Sequence, residues 1–228
     1  MSTPTYSLNA NIASTCTRRV LVCAAECGMS DRVKLVNHAF TDIKTPRWLE
    51  AQPFGQMPVL VEDKTGWTLF ESRAIAKYIA AVSGNTQLMP LPTDAQTYGK
   101  FEQACSIENN DFDVSASAIC NELVFKPGKG GTTDPGRVIL EQENLEKKLA
   151  SYEVILSRQR YLAGEQMTLA DLFHLPYGTM VTEIGGTTSL TDGRLPNVTR
   201  WWKELSDLAS WKAIQAERAA YLEAQKKK

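Results

Sequence analysis

The alternation of strand and helix signals stops near residue 85, and that change of rhythm limits what the chain can fold into. Before it, residues 6–9 read as a short strand, residues 14–27 as a helix stopped by Gly28, and residues 33–36 as a second strand. Residues 46–51 can make one or two helical turns. After Pro58, the run Val59-Leu60-Val61 reads as a buried strand, Lys64-Thr65-Gly66 as a hairpin turn and residues 67–70 as the returning strand. Ser72 reads as the cap of a helix that repeats Ile75, Ile79 and Val82 at positions i, i+4 and i+7. The order is β-α-β-α-β-β-α. Residues 83–93 hold Gly84, Pro90 and Pro92 and read as a linker.

Beyond the linker almost every signal is helical. Residues 94–125 read as one long helix or a bent one. Residues 126–135, with Pro127, Gly128, Gly130 and Gly131, read as a loop. Residues 137–160 carry Val138, Leu145, Leu149, Tyr152 and Leu156 on one helical stripe, and Gly164 ends that unit. Thr168-Leu169-Ala170-Asp171 is a capping box, with Met167 and Leu172 at the staple positions and His174 inside the helix that follows. Two more helices are expected over residues 197–208 and 211–223. The pattern predicts an α/β domain over residues 1–83 and an all-α domain over residues 94–228. Such a pattern narrows the fold class without giving a function.

Composition excludes several classes. The chain has 228 residues, 43% hydrophobic and 22% charged, so it can bury a core without disulfide staples. A net charge of −1 argues against binding a phosphate backbone, and Lys226 to Lys228 form a short terminal basic run. No apolar stretch reaches the roughly 20 residues needed to cross a bilayer, and residues 1–9 are polar, without a signal-peptide core. A cytoplasmic protein that binds neither membrane nor nucleic acid is expected. There are five cysteines, an odd number. Cys16, Cys23 and Cys27 share a helical stripe, either as a metal or redox site or as small packing residues. Neither a second Cys/His cluster nor a C-x-x-C motif completes a site, so no metal is expected.

Three fragments carry chemistry. In Ser14-Thr15-Cys16-Thr17-Arg18-Arg19 a strand and loop run into a helix, so Ser14 or Thr15 is at least an N-cap. Pro53-Phe54-Gly55-Gln56-Met57-Pro58-Val59 sets a Pro directly before a strand, where a cis bond would turn the backbone of Met57 towards a ligand. Leu69-Phe70-Glu71-Ser72-Arg73 puts an acid and a hydroxyl at another helix N-terminus, which attracts carboxylates.

In this order the fragments resemble the glutathione transferases, most closely the phi class of plants and fungi. The second half matches at Asn110-Asp111-Phe112-Asp113-Val114, at Tyr161-Leu162-Ala163-Gly164 and at the capping box. The resemblance implies a thioredoxin-like N-terminal domain, an all-α C-terminal domain and a homodimer. It implies a detoxifying transferase that takes glutathione as co-substrate and joins it to electrophilic or hydrophobic small molecules, or reduces peroxides. A ligand carrier (ligandin) and a non-catalytic interaction module are the rival readings. The resemblance makes Ser14 the hydroxyl that stabilises the glutathione thiolate. It matches Glu71 and Ser72 to the pair that holds the γ-glutamyl end, Met57, with Pro58 after it, to the backbone that pairs with the cysteinyl unit, and Gln56 and Lys44 to the surroundings of the glycyl carboxylate. Ile43 replaces a His that often precedes that Lys. The electrophile side is implied at Thr15, His38, Asn121 and Phe125, with Asn121 where an aromatic is frequent. Cysteine-type relatives carry their Cys where Ser14 stands, so Cys16 is not expected to be the nucleophile. Arg18 and Arg19 read either as support for the site or as a solvated helix face.

Overall fold

The structure is a computed structural model that describes residues 4–226; residues 1–3 of the polar N-terminal stretch and residues 227–228 of the terminal basic run lie outside the described residues. It divides into two compact units, Met1–Thr86 with Ala209–Lys228, and Gln87–Leu208.

In the first unit, β1 (Tyr6–Ala10) leads into α1 (Thr15–Glu26), β2 (Val33–Asn37), a 3-10 turn (Asp42–Lys44), α2 (Pro46–Ala51), β3 (Val59–Glu62), β4 (Thr68–Phe70) and α3 (Ser72–Ser83). The sheet order is β2-β1-β3-β4. β1 runs parallel to β2 and antiparallel to β3, with Leu8 opposite both Leu35 and Leu60. A parallel pair needs a crossover, and α1 supplies it. Alternate residues of β1 (Tyr6, Leu8 and Ala10) point into a core shared with Val20 and Ala24 of α1 and with Ile75 and Ile79 of α3. Trp48 of α2 makes a separate cluster with Met57 and Val59. The expected β-α-β-α-β-β-α order is therefore observed, with shifts of a residue or so at element ends.

The last helix, α10 (Ala209–Lys226), belongs with this first unit and not with the helices that precede it in sequence. The reason is side-chain chemistry on α1 and on the loop before it. The Arg18 guanidinium lies 5.7 Å from the Trp211 ring centroid and donates to Gln215 Oε1 at 2.7 Å. Asn11 Nδ2 lies 2.9 Å from the Tyr221 hydroxyl, and Ser210 donates to Glu26.

The second unit is helical. The expected long helix over residues 94–125 is a continuous helical run from Ala95 to Phe125, interrupted by two π-turns. α4 (Ala95–Ile107) and α5 (Asp113–Cys120) are joined by a π-turn over Glu108–Phe112, and a second π-turn follows over Asn121–Phe125. Each π-turn has i→i+5 bonding, as in Lys126 N–H to Asn121 O at 2.8 Å, which adds one residue to the turn. Then come α6 (Pro135–Leu156), α7 (Leu169–Leu172), α8 (Leu175–Glu183) and α9 (Pro196–Ser206). The expected stripe of α6 is buried: Val138, Leu145, Leu149, Tyr152 and Leu156. Gly178 sits so close to the Trp202 ring that a Cβ there would lie 2.4 Å from it.

The capping box at α7 is present and its acid is fully buried. Asp171 accepts from Thr168 N–H (2.9 Å) and Oγ1 (3.1 Å) on one oxygen, and from Leu162 N–H (3.0 Å) and Trp201 Nε1 (2.9 Å) on the other. Burial pushes its carboxyl up from the usual range, against the pull of these four donors. His174 is structural here, bonded to the Tyr152 hydroxyl at 3.0 Å and to Ala170 O at 2.9 Å.

Candidate active site

Ser14 is the N-cap of α1, with extended backbone (φ −69°, ψ 132°), and its Oγ accepts from Thr17 N–H at 3.4 Å. The loop before it is pinned by Asn11, which is buried. Asn11 O accepts from Ser14 N–H (3.0 Å), its Oδ1 accepts from Ala13 N–H (2.9 Å), and its Nδ2 donates to His38 O (2.7 Å). Half-buried Ser14 is thus held on both sides, by its own N–H and by its hydroxyl oxygen, at the positive end of a 12-residue helix.

The loop from Gln52 to Pro58 is fixed the same way. The Met57–Pro58 bond is cis, as the Pro before the strand implied. Trp48 Nε1 donates to Gln56 O (2.9 Å), and Gln56 N–H donates to Oε1 of buried Gln52 (3.2 Å). Gly55, at φ +60°, has no room for a side chain: a Cβ would lie 3.0 Å from Ile43 O and 3.0 Å from Lys44 Nζ. That closeness brings Lys44 beside the loop that carries Gln56, and both side chains are exposed. Neither Gln52 nor Trp48 stood out in the sequence, because nothing local marks a Gln or Trp as a clamp on the backbone that follows it.

At α3 the structure corrects one expectation. Ser72 is not the cap; it is the first helical residue, and Glu71 stands at the N-cap. Glu71 has φ 71° and ψ 109° and is the one non-glycine residue with positive φ among those described. Such a conformation costs about 1–3 kcal/mol and persists where surrounding structure imposes it. The Glu71 side chain is exposed and makes no capping bond. Ser72 is buried, and its Oγ accepts from Arg19 Nη1 at 3.0 Å. The solvated-face reading of Arg18 and Arg19 is overturned: they are 0% and 1% exposed. Arg19 Nη1 also lies 3.6 Å from Cys16 Sγ, which is half-buried on the first turn of α1.

The hydroxyls at helix N-termini fall into two kinds. Thr45 caps α2 and donates to Asp42 O at 2.7 Å; Thr168 caps α7 and donates to Asp171. Ser14 and Ser72 only accept, and no described residue accepts a proton from either. Two donors are therefore available, one at each of two helix N-termini of the same unit.

The remaining expected residues are placed as follows. Thr15 is 4% exposed. His38 is half-buried, with Nε2 3.0 Å from Asn9 Oδ1, Nδ1 3.4 Å from Asp42 and its ring edge-on to Trp48. In the second unit Asn121 is exposed and Phe125 half-buried, both on the second π-turn. Cys23 is fully buried and Cys27 half-buried. Among the described residues no group of His, Cys, Asp and Glu could hold a metal ion.

Comparison with known proteins gives a consistent result. Residues 13–82 match the glutathione S-transferase N-terminal domain family, and residues 137–209 match the glutathione S-transferase C-terminal domain family. The chain is 43% identical over 191 residues to glutathione S-transferase PM239X14 of Arabidopsis thaliana, covering 83% of this chain and 86% of the relative. Among solved structures, glutathione transferase F7 from Populus trichocarpa is similar with a TM-score of 0.85 and 32% identity, over 93% of this chain and 98% of that one. Glutathione S-transferase I bound with lactoylglutathione is similar with a TM-score of 0.83 and 29% identity, over 93% and 99%.

Proposed function

The chain belongs to the glutathione S-transferase family, within its phi class, and from that premise we propose that Ser14 activates glutathione as a thiolate. The enzyme is a transferase with glutathione as co-substrate; a carrier or interaction role is not favoured. The single observation that carries the Ser14 assignment is the hydroxyl itself. Its oxygen is occupied by Thr17 N–H, and its proton is left to donate.

A free thiol has a pKa near ~8.5, so only a few per cent is ionised at neutral pH. Lowering that by about 2 units requires ~2.7 kcal/mol of preference for the anion. Serine is too weak a base to take the proton, which leaves to solvent. A hydrogen bond from Ser14 and the positive end of α1 both favour the sulfur anion. The thiolate then forms a carbon–sulfur bond to an electrophile, whose leaving group departs with the electron pair. Glu71 and Ser72 are the anchor for the γ-glutamyl end, supported by the α3 N-terminus and the free Ser72 proton. Met57 and Pro58 align the cysteinyl unit, and Lys44 with Gln56 faces the glycyl carboxylate. Where a His often adds a second contact this chain has Ile43, so glutathione relies more on the γ-glutamyl end.

The direct test is thiolate absorbance in the near ultraviolet on mixing with glutathione. A thiolate band at neutral pH, reduced in Ser14→Ala, is expected; glutathione bound with no band in the parent protein would overturn the Ser14 role. The protein is further proposed to be a cytoplasmic homodimer, on the strength of family likeness alone. Sedimentation at micromolar concentration should give twice the chain mass, and a monomer would refute it. No helix among the described residues is long and apolar enough to cross a membrane.

A further inference from the structure

Arg19 links α1 to the N-terminus of α3 within the first unit. It starts on α1, five residues after Ser14, and its Nη1 reaches Ser72 Oγ at 3.0 Å on α3, 53 positions away. Both side chains are buried, Arg19 at 1% and Ser72 at 5% exposure. A guanidinium has donors only, so the direction of this bond is not in doubt: Ser72 oxygen must accept. The Ser72 proton must then point elsewhere, and no described residue receives it. A hydroxyl that accepts from a cation is also a better donor, because hydrogen bonds in a chain polarise one another.

We propose that Arg19 is a positioning residue for glutathione: it locks Ser72 as a donor aimed at the α-carboxylate of the γ-glutamyl unit. The inference rests on the reading of Glu71 and Ser72 as the γ-glutamyl anchor and adds the residue that sets the polarity of that anchor. Without Arg19 the Ser72 hydroxyl is free to rotate and to seek an acceptor within the chain. With it, the carboxylate meets a donor already oriented, next to the free amides at the start of α3. Arg19 never touches the substrate in this scheme. It acts through one oxygen atom.

The same nitrogen near Cys16 Sγ offers a competing role, in which Arg19 serves the sulfur end of the site. The two roles separate in kinetics. If Arg19 works through Ser72, Arg19→Met should raise the glutathione KM about tenfold, the scale of one charge-assisted hydrogen bond, and leave kcat and its pH profile nearly unchanged. Ser72→Ala should do the same, and the double variant should bind glutathione no worse than either single one, because both remove the same Arg19–Ser72 bond. Arg19→Lys keeps a donor and should recover part of the loss; it also provides the comparison should the Met variant fail to fold. A glutathione analogue lacking the α-carboxylate should bind the parent and Arg19→Lys equally. Multiplying losses in the double variant, an equal penalty with the analogue, or an alkaline shift of the kcat profile would each overturn the proposal. Failure of the parent protein to bind glutathione at all would instead refute the family-site reading on which the proposal rests.

Discussion

The N-terminus of α7 and the N-termini of α1 and α3 use the same residue types to opposite ends. At α7 a hydroxyl and an acid, Thr168 and Asp171, are buried and use each other: the acid takes four hydrogen bonds and the hydroxyl proton is consumed. At α3 a hydroxyl and an acid stand side by side, yet Glu71 is exposed and uncapped while Ser72 keeps its proton. At α1 Ser14 likewise keeps its proton. The difference teaches how to tell a structural cap from a binding one. A cap whose donors and acceptors are all met within the chain has nothing left for a ligand. A helix N-terminus with an unused hydroxyl donor does.

The largest effect should come from the closed cap. Asp171→Ala strands the Leu162 and Thr168 amides and the Trp201 indole in a dry core, and should destabilise by about 4 kcal/mol. Urea unfolding measures it, and a loss under ~1 kcal/mol would erase the distinction between the two kinds of cap.

Ser14→Ala should do the reverse: little to stability, much to chemistry. Loss of a cap hydrogen bond costs about 1 kcal/mol. The pKa of bound glutathione should rise by about one unit or more, with conjugation down about tenfold at neutral pH. The sign follows from the group: a thiol whose anion is less stabilised ionises at higher pH, so activity should partly return in alkali. Glutathione affinity should hold, since Glu71 and Ser72 are untouched. An unchanged pH profile would contradict the scheme.

Glu71→Gly sharpens the comparison further. Glycine takes positive φ without strain, so the variant should gain about 1 kcal/mol of stability while losing retention on glutathione resin. Reduced stability would mean that the backbone at this position is not strained.

The smallest effect is expected for Cys16→Ser. Its side chain lies on the helix, two residues beyond Ser14, and conjugation should stay close to the parent rate. A native adduct of one glutathione, lost in this variant together with activity, would mark a cysteine-type enzyme.

What could be read from the amino acids was whatever depends on near neighbours along the chain. The Thr168-x-x-Asp171 box closes over three residues; the Ser14 cap bonds Thr17, three residues on; the Pro58 bond sits where a Pro meets a strand. Strand alternation and helical stripes are equally local, so the element order was legible. The direction of the hydrogen bond at Ser72 was not, because it depends on Arg19 and Ser72 meeting across 53 positions. Two adjacent arginines on a helix read as a solvated face as easily as a buried link until the packing of α3 and α10 against α1 is known. The same limit hid the place of the last helix. A helix there was expected, but only tertiary structure set Trp211, Gln215 and Tyr221 against Arg18 and Asn11. The π-turns around α5 were invisible for a related reason: one extra residue per turn leaves no local sequence mark and is decided by what the helix must pack against.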